Sequence, residues 1–234
     1  MEVNQYKLHA ITYPAIISMV IPFLLTYMYV MDLPIELWAT WTNIEKILGI
    51  FVPTAIVFSA LGYFVKELFR STSKVCFQNI LYNEDETLMP TTEFLLWRTN
   101  FMAKQEKEKV RAKLLAEENY QMLAPEQELA NETEARLNIV GAVNIIRQRT
   151  WGHPVLTQYN YQYGFWRNLM GGLFWDLLFV VVLAIINYKV AHLDYRLLVA
   201  SALVIVFVGI VSCFVLKNNA KVYARHLFPI YLTK

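Results

Sequence analysis

The sequence predicts an all-α membrane protein, with four transmembrane helices in two hairpins and a mostly helical cytoplasmic domain between them. Three observations carry this. Only 17% of the 234 residues are charged, against about a quarter in soluble chains. The charges are also segregated, because long uncharged runs alternate with one strongly charged block. Finally, basic residues gather at three run ends: Lys66, Arg70 and Lys74, then Arg167, then Lys217, Lys221 and Arg225. The remaining connectors hold Asp32, Glu36, Glu45 and Lys46, and Lys189, Asp194 and Arg196. By the positive-inside rule, both termini and the charged block face the cytoplasm.

The first pair of spans is expected within 9–66. His9 to Met31 is uncharged and long enough to cross about 30 Å of hydrocarbon. Pro14 lies near its start, where proline is tolerated, whereas Pro22 is mid-span and predicts a kink. Tyr27 and Tyr29 mark the far interface, and a connector follows with Trp38 and Trp41 as anchors. Ile47 to Val65 is the second uncharged run, with Pro53 inside it. Met1 to Ala10 has no basic region of the kind a signal peptide carries, and no small-residue cleavage site follows, so the first span is expected to stay in the protein.

The cytoplasmic domain is placed at 67–163. Arg70 to Arg149 holds eleven basic and twelve acidic residues and is nearly neutral. Asn83 to Glu86 reads as an acidic turn. Met89 to Glu93 reads as the start of a helix or strand, with Thr91 or Thr92 as cap. Lys104 to Tyr120 mixes Glu and Lys at helical spacing over a thin stripe of Val110, Leu114 and Leu115. Pro125 opens a further helical pattern whose apolar face includes Leu137, Val140, Val143, Ile145 and Ile146. Trp151 to Pro154 stops it, and Val155 to Tyr159 is compatible with a short β element. So few apolar residues call for a neighbour to complete the core.

The second pair of spans is placed at 164–217, and 218–234 reads as a cytoplasmic tail. The third span begins near Asn168 and is apolar to Tyr188 except for Asp176 and Asn187. The fourth runs from Leu197 to Leu216 without a charge. Ahead of the third span, Tyr159 to Trp166 supplies an aromatic belt. Trp166, Arg167 and Asn168 form the junction, where Arg167 can snorkel to lipid phosphates.

Asp176 is the sharpest candidate. A carboxylate about two turns inside a span is costly and usually faces a bundle interior or a water-filled cavity. Asn187 is its polar companion, and Arg167 or a group on another subunit is the expected partner of Asp176. Gly171, Gly172, Gly209 and Cys213 permit close helix approach. Arg98, Arg136, Arg147 and Arg149, with nearby aromatics, make a second candidate set for a ligand or partner, since arginine holds phosphates and stacks on bases. The competing reading pairs those arginines with the many glutamates or with anionic lipid headgroups.

Other chemistry finds no support. His9, His153, His192 and His226 share no ligand spacing with one another or with Cys76 and Cys213. Phosphate-cradling glycine loops and nucleophile elbows are absent from the sequence. No metal, no cofactor and no catalytic residue is expected, and two separated cysteines fit a reducing compartment.

Three segments carry a resemblance: Pro90-Thr91-Thr92-Glu93, the helix from Arg136 to Arg149, and Tyr163-Gly164-Phe165-Trp166-Arg167-Asn168. Together, over about 90 to 172, they resemble an uncharacterised group of bacterial four-span inner-membrane proteins of variable genomic islands. There, a "PTT" segment opens a cytoplasmic domain and a "YGF.RN" segment leads into a second membrane pair. The layout also resembles the four-span effectors of antiphage systems, whose cytoplasmic parts respond to nucleotide signals or partner proteins and whose spans disrupt the membrane. This is an analogy of architecture from which no catalytic residue transfers.

Two readings follow. The first is a membrane effector of bacterial antiphage defence. It forms an oligomeric channel or pore in the inner membrane, controlled by its cytoplasmic domain through a nucleotide ligand or partner protein. Four spans are few for a path through one subunit, so a homo-oligomer in contact with membrane lipid is expected. The alternative is a non-conducting inner-membrane scaffold that recruits a cytoplasmic partner.

Overall fold

The computed structural model describes residues 5–31, 51–190 and 194–234, with side chains for 5–28, 59–189 and 194–234. The described residues form helices and no strands. In chain order these are α1 (Tyr13–Ser18), α2 (Val20–Met31), α3 (Phe51–Thr72), α4 (Asn79–Tyr82), α5 (Pro90–Leu95), α6 (Lys104–Glu118), α7 (Pro125–Ala130), α8 (Glu132–Arg149), α9 (Pro154–Val190) and α10 (Tyr195–Thr233). π-Helical turns at Lys7–Thr12 and Ser73–Gln78 adjoin α1 and α3. Among the described residues, three helical segments are long and apolar enough to cross a membrane: Lys7–Met28, Pro154–Lys189 and Tyr195–Thr233. The expected connector with Trp38 and Trp41, the first residues of the second uncharged run, and His192 lie outside the described residues.

Proline chemistry sets several boundaries. Pro22 has no N–H to offer the Ser18 carbonyl, and the first helix is interrupted at Met19, one turn earlier than the proline itself. Pro90 and Pro125 occupy the first turns of α5 and α7, where the missing N–H is not needed. The cap of α5 is Met89 in extended conformation, so Thr91 and Thr92 are interior to the helix and buried, not caps. The expected β element at Val155 to Tyr159 is the start of α9, because Pro154 initiates a helix there.

The chain divides into two compact units. Unit 1 comprises Met1–Lys74 and Phe165–Cys213; unit 2 comprises Val75–Gly164 and Phe214–Lys234. Helices α9 and α10, of 37 and 39 residues, each contribute to both units. At 1.5 Å per residue each exceeds about 50 Å, well beyond the ~30 Å of hydrocarbon.

In unit 1 the core gathers Leu25 of α2, Leu169, Leu173, Val180 and Leu183 of α9, and Leu198 and Ile205 of α10. In unit 2, α8 supplies Ile139, Ala142, Val143 and Ile146, which meet Val110 and Leu114 of α6 and Phe94 to Leu96. The core is completed by Ala224, Leu227, Phe228 and Tyr231 of α10, all at most 1% exposed. Of residues 218–234, read from the sequence as a tail, all but Lys234 thus belong to α10, and four of them are central to the unit 2 core. A run too short and too charged to span a membrane still places an apolar residue at every third or fourth position, which is enough to fill a core groove.

Two buried cations lock the loops of unit 2. The guanidinium of Arg111 lies over the Trp97 ring, 4.4 Å from its centre, and donates to the Leu95 and Leu123 carbonyls at 3.0 and 2.7 Å. It pairs with Glu128 at 3.2 Å, whose other oxygen accepts from the Trp97 N–H at 2.5 Å. Burial lowers the Arg111 pKa, and Glu128 opposes the shift. Lys107 is fully buried and donates to the carbonyls of Leu96 and Thr99. Arg111→Ala strands the Glu128 carboxylate and should cost about 3 kcal/mol. Arg98→Ala, which breaks a pair with both side chains more than 40% exposed, should cost under about 1 kcal/mol. Denaturation followed by tryptophan fluorescence separates the two.

Candidate functional site

Helix α9 carries a buried stripe of Leu169, Leu173, Asp176, Val180, Leu183 and Asn187. The intervals alternate four and three, the seam spacing of packed helices. Asp176 is 2% exposed and Asn187 fully buried. Eleven residues apart, they lie on the same face of the helix. The flanking leucines and valine all belong to the unit 1 core. Among the described residues, Oδ2 of Asp176 has no hydrogen-bond partner. Arg167 is not the counter-ion that the sequence suggested, because a separation of nine residues puts it half a turn round the helix and about 13 Å along it.

The adjoining face of α9 carries Asn168, Gly171, Gly172 and Trp175, spaced three and four apart. The Asn168 carboxamide is buried; it donates to the Ala10 carbonyl at 2.5 Å and accepts from the Ser73 hydroxyl at 3.0 Å. Both partners lie in the two π-helical turns, insertions that re-aim backbone groups and recur at functional positions. A Cβ on Gly171 would sit 2.1 Å from the Phe69 carbonyl oxygen, and one on Gly172 would sit 2.4 Å from the Ser18 hydroxyl. Backbone therefore meets backbone at Gly171, and the Ser18 side chain packs directly on Gly172. Trp175 completes the face by donating to the Thr72 hydroxyl at 2.8 Å. Trp166 packs edge-on to Phe165, with centroids 5.3 Å apart, against the unit 1 core, and Arg167 is half-buried beside it.

The four arginines read as a ligand set are all engaged by glutamates inside unit 2. Glu132 bridges two of them, receiving Arg98 at 2.5 and 2.7 Å and Arg136 at 2.7 Å. Arg136 also reaches Glu93 and the Thr87 carbonyl, each at 2.7 Å. Arg147 pairs with Glu86 at 2.7 Å in the turn where Glu86 adopts φ 56°. Arg149 pairs with Glu118. Arg98 and Arg136 are thus brought together, whereas Arg147 and Arg149 sit on separate pairs.

No family model matches the chain, and neither a curated protein nor a solved structure matches it. Residues not singled out in the sequence, Ser73 and Ala10, complete the Asn168 contact. Only a third helix packed on Asn168 discloses them, and no spacing in the sequence encodes that.

Gly171→Ala must push α3 away and should destabilise unit 1 by about 2–3 kcal/mol. Asn168→Ala loses two interhelical hydrogen bonds, worth roughly 0.6 kcal/mol each in membranes. Resistance to SDS unfolding should rank the variants in that order. In unit 2, the hydrogen bond from Arg136 lowers the Glu132 pKa and that from Arg149 lowers the Glu118 pKa, both from the usual 4.5. A depressed carboxylate adds stability above its unfolded value and loses it as pH falls through the folded one. The melting temperature should therefore drop below about pH 4.5, and Glu132→Gln should flatten that slope.

Proposed function

We propose that the chain is a membrane effector of a bacterial antiphage defence system. In this reading it is a four-span subunit of a homo-oligomeric channel or pore in the inner membrane. Its cytoplasmic domain controls opening through a nucleotide ligand or a partner protein. The observation that carries the reading is Asp176, a carboxylate 2% exposed on a membrane-length helix whose Oδ2 lacks a hydrogen bond among the described residues. A carboxylate in that setting stays ionised only where a cation, a water column or a group from another copy meets it, and that is the condition this reading supplies.

A second feature supports assembly. On α10, no described atom lies within 4 Å of where a Cβ of Gly209 would be, and Leu203, Val206, Phe207 and Ile210 around it are exposed. A small residue amid an exposed apolar face suits lipid contact or close approach by a second subunit. The antiphage setting rests on the resemblance in layout.

Flux through proteoliposomes tests the reading. Asp176→Asn should preserve helicity and lower cation flux roughly tenfold, since the charge that attracts cations is gone. Asp176→Leu should abolish it. Equal flux from wild type and Asp176→Asn would remove Asp176 from the path. A scaffold would give no flux in any variant.

A further inference from the structure

We propose that unit 2 holds the phosphate of an anionic phospholipid between Lys217 and Lys221, with the adjoining lipid backbone in the apolar pocket beside them. The pocket has a volume of about 160 Å³ and is lined by Tyr82, Leu88, Pro90, Glu93, Phe94, Phe101, Lys217 and Lys221. Its walls are apolar, and two large side chains at it, Phe101 and Leu88, are 56% and 41% exposed. Lys217 and Lys221 are both exposed and one turn apart on α10. Like charges at that spacing repel, and among the described residues neither lysine has an acidic partner within ion-pair distance. An anion between them removes the repulsion. The one acid in the lining, Glu93, is bonded to Arg136 at 2.7 Å, so the exposed lysines set the sign of the charge at the pocket rim.

The position of the lysines selects the occupant. Lys217 is the first charge after the uncharged run from Leu197 to Leu216, whose twenty residues cover about 30 Å as a helix. Its ammonium therefore emerges where lipid phosphates lie, and Arg225 extends the same basic face two turns on from Lys217. Pockets for drug-sized ligands begin near 300 Å³, so this one does not enclose a nucleotide. A phospholipid needs only its phosphate and glycerol accommodated, because its chains stay in the bilayer. The proposal rests on the membrane reading and is independent of conduction, so lipid retention and ion flux fail separately.

The test offers the full chain, washed in detergent, equal phosphatidylglycerol and phosphatidylcholine in mixed micelles and quantifies retained lipid by mass spectrometry. Wild type should enrich phosphatidylglycerol, and the double variant Lys217→Gln/Lys221→Gln should lose roughly tenfold of that preference. Leu88→Trp, which fills the pocket and leaves both lysines, should lose it as well. Retention by the lysine double variant would overturn the proposal. So would loss in the lysine variant without loss in Leu88→Trp, which signals surface charge alone. Displacement by millimolar glycerol 3-phosphate as readily as by short-chain phosphatidylglycerol would assign the site to a soluble phosphate ester and also overturn it.

Discussion

The Asn168 carboxamide is the contact that ties three segments of unit 1 together. In water, a side-chain amide gains little by bonding to protein, since it exchanges one partner for another. In a bilayer the competition from water falls away, but the unfolded chain finds other partners, so each such bond still nets only about 0.6 kcal/mol. Asn168 spends its N–H on Ala10 and its oxygen on Ser73, so three separate helical segments share one polar centre. The adjoining glycines bring the backbones close enough for dispersion contacts to act. Lipid tails are as apolar as leucine, so the hydrophobic core of this unit supplies fit but little specificity. The polar centre supplies direction.

Unit 2 follows a different logic. Its helices are short, its surface is dense with charge, and its stability rests on cations that hold carbonyls the helices leave unsatisfied. Arg111 and Lys107 bind the carbonyls of Leu95, Leu96 and Thr99 at and beyond the C-terminus of α5, where carbonyls lack an internal partner, and Arg111 also holds the Leu123 carbonyl in the loop ahead of α7. The arginine–glutamate pairs then tie α8 to α5 and α6 through Arg136–Glu93 and Arg149–Glu118, and to flanking loops through Arg98–Glu132 and Arg147–Glu86. Most of these pairs are exposed enough for salt to screen them, whereas Arg111 and Glu128 are 11% and 5% exposed and carry more of the energy.

Much of this architecture was legible in the sequence. The uncharged runs, the charged block and the helical character of the middle all follow from composition and period. Asp176 and Asn187 stand out in the sequence as the polar residues of an apolar run, but their burial shows only once the four-three stripe with Leu169 and Val180 is packed. The arginines were ambiguous for a physical reason: a guanidinium suits phosphate and carboxylate equally, and only the fold decides which is in reach. Residues 218–234 were misread because a run that follows a span and holds three cations looks like a tail. Its core residues Leu227, Phe228 and Tyr231 show their purpose only against α8. The π-helical turns left no trace in the sequence, since they arise from packing rather than propensity.

The contribution of α10 to the unit 2 core bears on biosynthesis. The unit begins at Val75, yet Leu227, Phe228 and Tyr231, buried at its centre, are made some 150 residues later. Domains generally close as their chain leaves the ribosome, but this one is left waiting. Its apolar surface stays open until α9 and the uncharged run of α10 have been synthesised. Closure of this core therefore waits on the C-terminal part of α10, the last stretch of the chain to be made.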